Sequence, residues 1–534
     1  MTVESQSEAW RPSDSGEIST DVCIVGGGPA GITIARELGH SRFRVCLIES
    51  GATDIDSRVQ QQSRGVVSGY PLQRLHDSRV RVVGGTLRHR KLGNEGWAVR
   101  PLDPVDFEKR PGLPLSGWPF TRDHLDSSYA RAQAAAGLDT YDYEPEPWSD
   151  PARTPVLDLE GCGVDTTVFH FAQPLFQHAV PELTGSPNVQ MFTRTRVVGM
   201  IAAAAGGAVD GVRVLRDDGS RLVVRARVVV LAAGGVENAR LLLLGDDGRS
   251  IGNDHDLVGR FFGERLSAHC GHVVVGRPEI LETLEFYTPH QVRHTLLRGA
   301  LRLTDEKQRE SGLRNCTFQI QPRPALVTTE ALRSVATLRK ALRRQPMMQG
   351  AGAHLGSVVA GLGGVLHSVA HGGLRERTLT VRCQAEHAPH RDSRVTLGVD
   401  RDDLGLPTAN VHWRFEDSDV DSIRTSLAIV GSALQARGLG RVQSTLDDTR
   451  RPTLVEGMHH HMGTTRMNAD PRLGVVDADC RVHSTRNLYV AGSSVFPTYG
   501  ASNPTLTIIA LAFRLADHLS ATLGAAQPST VSVS

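Results

Sequence analysis

Three consecutive histidines, His459, His460 and His461, lead into Met462-Gly463-Thr464-Thr465-Arg466 near the C-terminal end of the chain. A neutral imidazole can bind a metal, take a proton as a general base, or simply pack as a polar group. In an extended strand, alternation puts His459 and His461 on one face and His460 on the other. The 459/461 pair could open a zinc set, but zinc needs further ligands. No Cys, His or acidic cluster at ligand spacing completes it, so no metal site is expected. A second candidate is Asn503, which precedes Pro504 and a long apolar run. Asparagine followed by proline is the signature of a helix start, with Asn503 as the cap and Pro504 in the first position.

The third group is Gly26, Gly28 and Gly31, spaced G-x-G-x-x-G between an apolar run over Val22–Val25 and an amphipathic stretch. A second apolar run, Val45–Ile48, ends in Glu49. In a strand–turn–helix setting the first glycine permits the tight turn and the second lets a pyrophosphate approach the backbone. The third allows close helix–strand packing. The helix N-terminus attracts the anion, and Glu49 is placed to accept ribose hydroxyls. Together these residues predict a dinucleotide site.

Such groups need a scaffold. Residues 190–244 read as a β-meander with turns at Gly206–Gly207 and 217–219, then a strand over 228–232 and a helix. Later stretches alternate β-type runs (381–386, 411–415) with helical ones (331–344, 420–435). Residues 346–374 are Gly-rich and apolar but broken by histidines, and predict a long loop. The tail from 524 reads as disordered. The 534 residues carry a net charge of +1, so bulk electrostatics give no case for nucleic acid or an anionic membrane. Seven dispersed cysteines fit reduced thiols in a cytoplasm. No uninterrupted apolar run of membrane-spanning length is present, so no membrane span is expected.

The glycine motif, "VGGTLRH" at 83–89, "VVVLAAGGVENARLLL" at 228–243, "HHMGTTRM" at 460–467 and "NLYVAGSSVFPTYGASNPTLTIIALA" at 487–512 occur in this order. Together they resemble the glucose–methanol–choline (GMC) oxidoreductases over nearly the whole chain. Within that family the chain is most similar to the pyranose oxidase and sugar dehydrogenase branch, which has Asn-Pro-Thr where others have a second histidine.

The resemblance implies an α/β fold in which a discontinuous, Rossmann-like FAD-binding domain joins an α+β substrate domain on a mixed sheet. The FAD segments are 1–110, 188–270 and 450–534, with substrate segments at 111–187 and 271–449. It implies FAD held by Gly26, Gly28, Gly31 and Glu49, by Gly84 and Gly85, and by Val197 beside the adenine. Gly234 and the loop residues Gly492 and Ser493 flank the diphosphate and ribityl chain, and Asn503 and Thr505 flank the flavin pyrimidine. His460 aligns with the family's catalytic base, leaving His459 and His461 to packing or support. His89 stands at the spacing of the histidine that carries flavin covalently in pyranose oxidases. Its neighbours Leu87, Arg88 and Arg90 depart from that pattern, so non-covalent FAD is expected. The implied reaction is oxidation of a CH–OH group on a sugar, glycoside or aminosugar-like metabolite, with the electron acceptor and oligomeric state left open. A lyase or isomerase with internal redox is the alternative, and a non-catalytic FAD-binding redox sensor is a lesser one.

Overall fold

The computed structural model describes residues 16–88, 96–172, 179–275, 278–322, 378–446 and 455–525. His89, the helix expected over 331–344, the Gly-rich 346–374 stretch and the tail beyond 525 lie outside the described residues.

The first half of the chain contributes nine strands: β1 (Glu17–Val25), β2 (Val45–Ile48), β3 (Gly65–Gly69), β4 (Trp97–Val99), β5 (Val164–Ala172), β6 (Val189–Phe192), β7 (Thr195–Ala202), β8 (Val209–Arg216) and β9 (Arg221–Leu231). The second half adds β10 (Leu266–Val274), β11 (His290–Val292), β12 (Thr295–Leu303), β13 (Cys316–Pro322), β14 (Thr378–Ala385), β15 (Arg394–Arg401), β16 (Pro407–Trp413), β17 (Arg441–Ser444), β18 (Val455–Gly457) and β19 (Leu488–Val490).

The first sheet runs β6-β2-β1-β9-β8-β7, with β19 also on β9. β6, β2, β1, β9 and β19 are mutually parallel, whereas β7 and β8 form the predicted meander, antiparallel to β9. The length of β9 makes this possible: on one edge its first residues pair with β8 and its last three with β19. The parallel strands are buried apolar runs, as strands covered on both faces must be. Helix Pro29–Gly39 follows β1, and the C-terminal helix Thr505–Ala525 packs against it and against helix Asp126–Ala135. That C-terminal helix is long and apolar enough, by length and composition, to cross a membrane, and most of it is buried inside the protein.

The second sheet runs β17-β10-β14-β13-β12-β5-β4, with β11 on β12 and β18 on β10. The mixed sheet expected here is antiparallel at every pair. Antiparallel neighbours need no crossover connection, and the chain supplies few helices between these strands. The parallel–antiparallel mixture falls in the first sheet and in the small third sheet, β15-β16-β3. β4 and β18 pair in the second sheet from within segments expected to bind FAD, and β10 crosses the expected boundary at 270. Helix Asp417–Ala436 covers one face of this sheet.

Candidate active site

The carboxyl ends of β1, β9 and β19 meet at one edge of the first sheet. A Cβ on Gly26 (φ +113°) would lie 2.5 Å from the carbonyl oxygen of Ala232 at the end of β9, and one on Gly31 would lie 1.9 Å from that of Gly26. Only hydrogen fits at either place, so the turn is as tight as the spacing predicts. Gly28 differs, because a Cβ there would meet nothing within 4 Å. The same open space surrounds Gly234 (φ +86°), which starts helix Gly234–Leu244, and Gly492 (φ +108°), which follows β19. Three glycines bordering free space at converging strand ends form a cradle that a diphosphate can fill.

Residues 83–85 close over this turn. The Gly84 N–H donates to the Gly27 carbonyl at 2.8 Å, and a Cβ on Gly85 would come within 3.1 Å of the Gly28 Cα. Glu49 is buried, and its carboxylate accepts the N–H groups of Gly27 (2.7 Å) and Gly51 (2.6 Å). Burial pushes its pKa up, against the pull of those two N–H groups. Oε1 also accepts from Ser50, whereas Oε2 holds the Gly27 bond alone and has a lone pair left for a hydroxyl. Val197 pairs with Val214 beside a bulge in β7. Thr505 is buried at the first turn of its helix.

The histidine run is not a strand. β18 ends at Gly457 and His459 takes a left-handed φ of +64°, so strict face alternation does not apply. The reason is Glu264, a fully buried residue just before β10, whose Oε2 accepts the N–H groups of both Met458 and His460 at 3.0 Å. One carboxyl oxygen gathering two N–H groups two residues apart bends the chain around itself. Its Oε1 lies 3.2 Å from Nε2 of His461 without forming an aligned hydrogen bond. The His461 carbonyl accepts from Ser493 Oγ at 2.7 Å and sits where a Cβ on Gly235 would fall. His461 is thereby tied into the cradle, while His460 stays partly exposed with its Nδ1 unpartnered. Burial, and next the Arg265 guanidinium, hold His460 well below the usual imidazole pKa, so its ring is neutral at neutral pH. No group of three or more potential metal ligands occurs among the described residues.

Asn503 is not the predicted cap. The helix starts at Thr505, the Ile508 N–H donates to the Pro504 carbonyl, and the Asn503 Nδ2 donates to the carbonyl of Ala98 in β4. A carbonyl can only accept, so this contact fixes the orientation of the amide. Its Oδ1 is buried with no partner. Arg265 acts electrostatically on His460 and donates to the carbonyl of Ala501, two residues before Asn503, at 2.8 Å. Motif reading missed Glu264 and Arg265, because no spacing rule marks two adjacent charges ahead of a strand.

Burial pushes the Glu264 carboxyl up to about 8, against its backbone N–H partners. The fold therefore favours the neutral acid, whereas the unfolded chain ionises near 4.5. This contribution to stability is complete below that value and is lost as pH rises toward about 8. Glu264→Gln is expected to remove it. Thermal unfolding of the variant should vary less between pH 5 and 8 than that of the parent protein, and an unchanged pH slope would show that Glu264 is ionised in the fold.

With this geometry in place, known proteins supply the class. A family model for GMC oxidoreductases matches residues 389–512, and one for FAD-dependent oxidoreductases matches residues 21–260. The chain is 26% identical to the 6'''-hydroxyparomomycin C oxidase of Streptomyces lividus, over 94% of this chain and 92% of that protein. It is 24% identical to the C-glycoside 3-oxidase of Microbacterium trichothecenolyticum, over 93% and 96%. Its fold is similar to that of a formate oxidase, with a TM-score of 0.56 at 17% identity over 95% of this chain and 99% of that one. The C-terminal part of the chain thus matches the GMC oxidoreductase model and the N-terminal part that of FAD-dependent oxidoreductases, and the protein is an FAD-dependent oxidoreductase acting on CH–OH groups.

Proposed function

We propose that the protein oxidises a secondary or primary alcohol on a sugar or glycoside, with His460 as the base and Asn503 as the substrate-oxygen ligand. The observation that carries this reading is the pair of unpartnered buried atoms, His460 Nδ1 and Asn503 Oδ1, in two partly exposed residues, with Arg265 acting on the first and bonded to Ala501 beside the second. A buried polar atom without a partner is costly, so retaining these two supports reading them as groups reserved for a ligand. The sugar assignment draws on relatives named for glycoside-type substrates.

In this reading Gly26, Gly28, Gly31, Gly84, Gly85, Gly234, Gly492 and Ser493 hold the diphosphate side of FAD. Glu49 holds a ribose, Val197 lies by the adenine, and Thr505 lies by the flavin pyrimidine. His89 lies outside the described residues, and for it the expectation of non-covalent FAD is kept as part of the proposal. Segments 1–110, 188–270 and 450–534 carry most of the FAD contacts, with 111–187 and 271–449 on the substrate side. FAD, when bound, supplies the two-electron acceptor for a hydride. His460 is neutral and takes the hydroxyl proton on its unprotonated ring nitrogen. The Asn503 amide orients the same oxygen through Oδ1 and its second N–H. Glu264 positions His460 by gripping its backbone. Seven free cysteines, six of them buried, fit a reducing cytoplasm.

Anaerobic mixing of the purified protein with a panel of sugars and simple alcohols tests this. The flavin band near 450 nm should bleach with a sugar, at a stoichiometry of about one FAD per chain. A holoprotein that no sugar or alcohol reduces, but that dithionite does, would overturn the reading. Bleaching that reverses without any external acceptor would assign the internal-redox alternative.

A further inference from the structure

The two faces of the second sheet differ in kind. Cross-strand partners share a face, and side chains two apart along a strand stay on it. One face carries Leu266 and Ala268 of β10, Cys383 of β14, Phe318 of β13 and Leu301 of β12, all buried. The other face is polar in successive rows. Ser267, Gln384, Thr317 and Arg302 form the first, and His269, Arg382 and Gln319 the second, with Ala300 and Thr167 on the same face of β12 and β5. The third holds His272, Thr380 and Gln321, and further along β12 Arg298 lies on the same face opposite the buried Phe169 of β5.

This polar face looks toward the catalytic loop. Thr167 accepts from Arg100 Nε, and Arg100 Nη1 donates to Ser502, the neighbour of Asn503. Arg265 donates to Ala501 on the same side. Several polar groups here lack partners. Gln319 is 5% exposed with Nε2 unpartnered, and Arg265 is fully buried with Nε and Nη2 unpartnered. Arg382 is exposed, and among the described residues its side chain makes one long contact, 3.4 Å, to Ser267 Oγ. No carboxylate pairs with Arg265 or Arg382 through an aligned bond among the described residues. The acids on this face stand in the first row, Asp165 beside Arg302 on β5 and Glu456 beside Ser267 on β18. Among the described residues, the second and third rows carry none.

We infer that this face binds the substrate, and that the substrate is an anionic sugar, its carboxylate or phosphate group read by Arg382 and its hydroxyls by Gln319 and Gln384. The inference rests on the sugar-oxidation reading above and narrows it. A guanidinium fork matches planar oxyanions in two-point hydrogen bonds. An aminosugar fits poorly, because its ammonium would face Arg382 and Arg265 with no acid among the described residues of the central rows to offset the repulsion.

Equilibrium titration of the oxidised holoenzyme, followed by flavin difference absorbance, tests it with ligands that share one ring. The probes are methyl glucoside, methyl glucuronoside, methyl glucosaminide and glucose 6-phosphate, each also tried for anaerobic bleaching. Losing one charge-assisted bond corresponds to roughly 10- to 100-fold in affinity. The uronoside or the phosphate should therefore bind tighter than the glucoside by about that factor, and the better of the two identifies the anion. The glucosaminide should bind weakest. Arg382→Gln should collapse the acid-to-neutral ratio to near one, and Arg382→Lys should keep part of it. A neutral or amino sugar bound as tightly as the acids, or a ratio untouched by Arg382→Gln, overturns the inference while leaving sugar oxidation intact. Tight binding of the acid without bleaching by any probe overturns the oxidation reading instead. No spectral response to any of the four overturns both.

Discussion

His460→Ala is expected to slow flavin reduction by substrate on the order of 10²–10⁴-fold, the usual loss when a general base is removed. FAD should stay bound. The cradle is built from backbone at Gly26, Gly28, Gly234 and Gly492, and the His460 ring contributes nothing to it. His459→Ala and His461→Ala should be milder. His461 turns its side chain toward Glu264 and its carbonyl toward Ser493, so its role is to hold the turn. The pH dependence follows from the same burial. A base must be unprotonated, so its activity is lost as pH falls through its pKa. With His460 held well below the ordinary imidazole value, reduction should stay flat down through pH 6.5 and decline only in more acidic solution. Stopped-flow reduction across pH measures both effects. Full activity in His460→Ala, with loss in the His459 variant, would shift the assignment by one residue.

The second large effect is expected at Asn503. On capping grounds alone Asn503→Asp would be neutral, since aspartate caps as well as asparagine. The structure gives no capping role to lose, because Nδ2 donates to the Ala98 carbonyl and Oδ1 is unpartnered. The aspartate would replace that donor with an acceptor facing a carbonyl, and would place negative charge where the alcohol oxygen becomes an alkoxide. Both changes oppose the transition state. Reduction should fall by on the order of 10²-fold or more, the scale seen when a preorganised donor to developing charge is removed. The flavin midpoint potential should also drop, since the new charge disfavours the anionic reduced ring. Unchanged kinetics together with an unchanged potential would return Asn503 to a structural part.

Much of this was legible in the residues themselves, and the division has a physical basis. Gly26, Gly28 and Gly31 could be read because a turn at a strand end is local: the same few residues set the geometry and the chemistry. β2 at Val45–Ile48, the meander and its two turns were likewise visible as alternation and turn chemistry over short spans. What failed was whatever depended on a distant partner. The histidine run was expected to be extended, and Glu264, nearly two hundred residues earlier, bends it by taking two of its N–H groups. Asn503 carried a sound local capping signal, yet the carbonyl of Ala98 claims its amide from four hundred residues away. Strand direction in the second sheet was hidden for the same reason, because pairing is a contact between segments and leaves no period in either one. The sequence alone therefore determined the dinucleotide turn, carried the resemblance to the GMC oxidoreductases and singled out a candidate base. Only the tertiary structure decided the orientation of His460 and Asn503, and only it gathered Arg382, Gln319 and Arg265 on one polar face. Local spacing specifies backbone conformation, whereas unsatisfied hydrogen bonds and unbalanced charges exist only once the chain has brought its remote parts together.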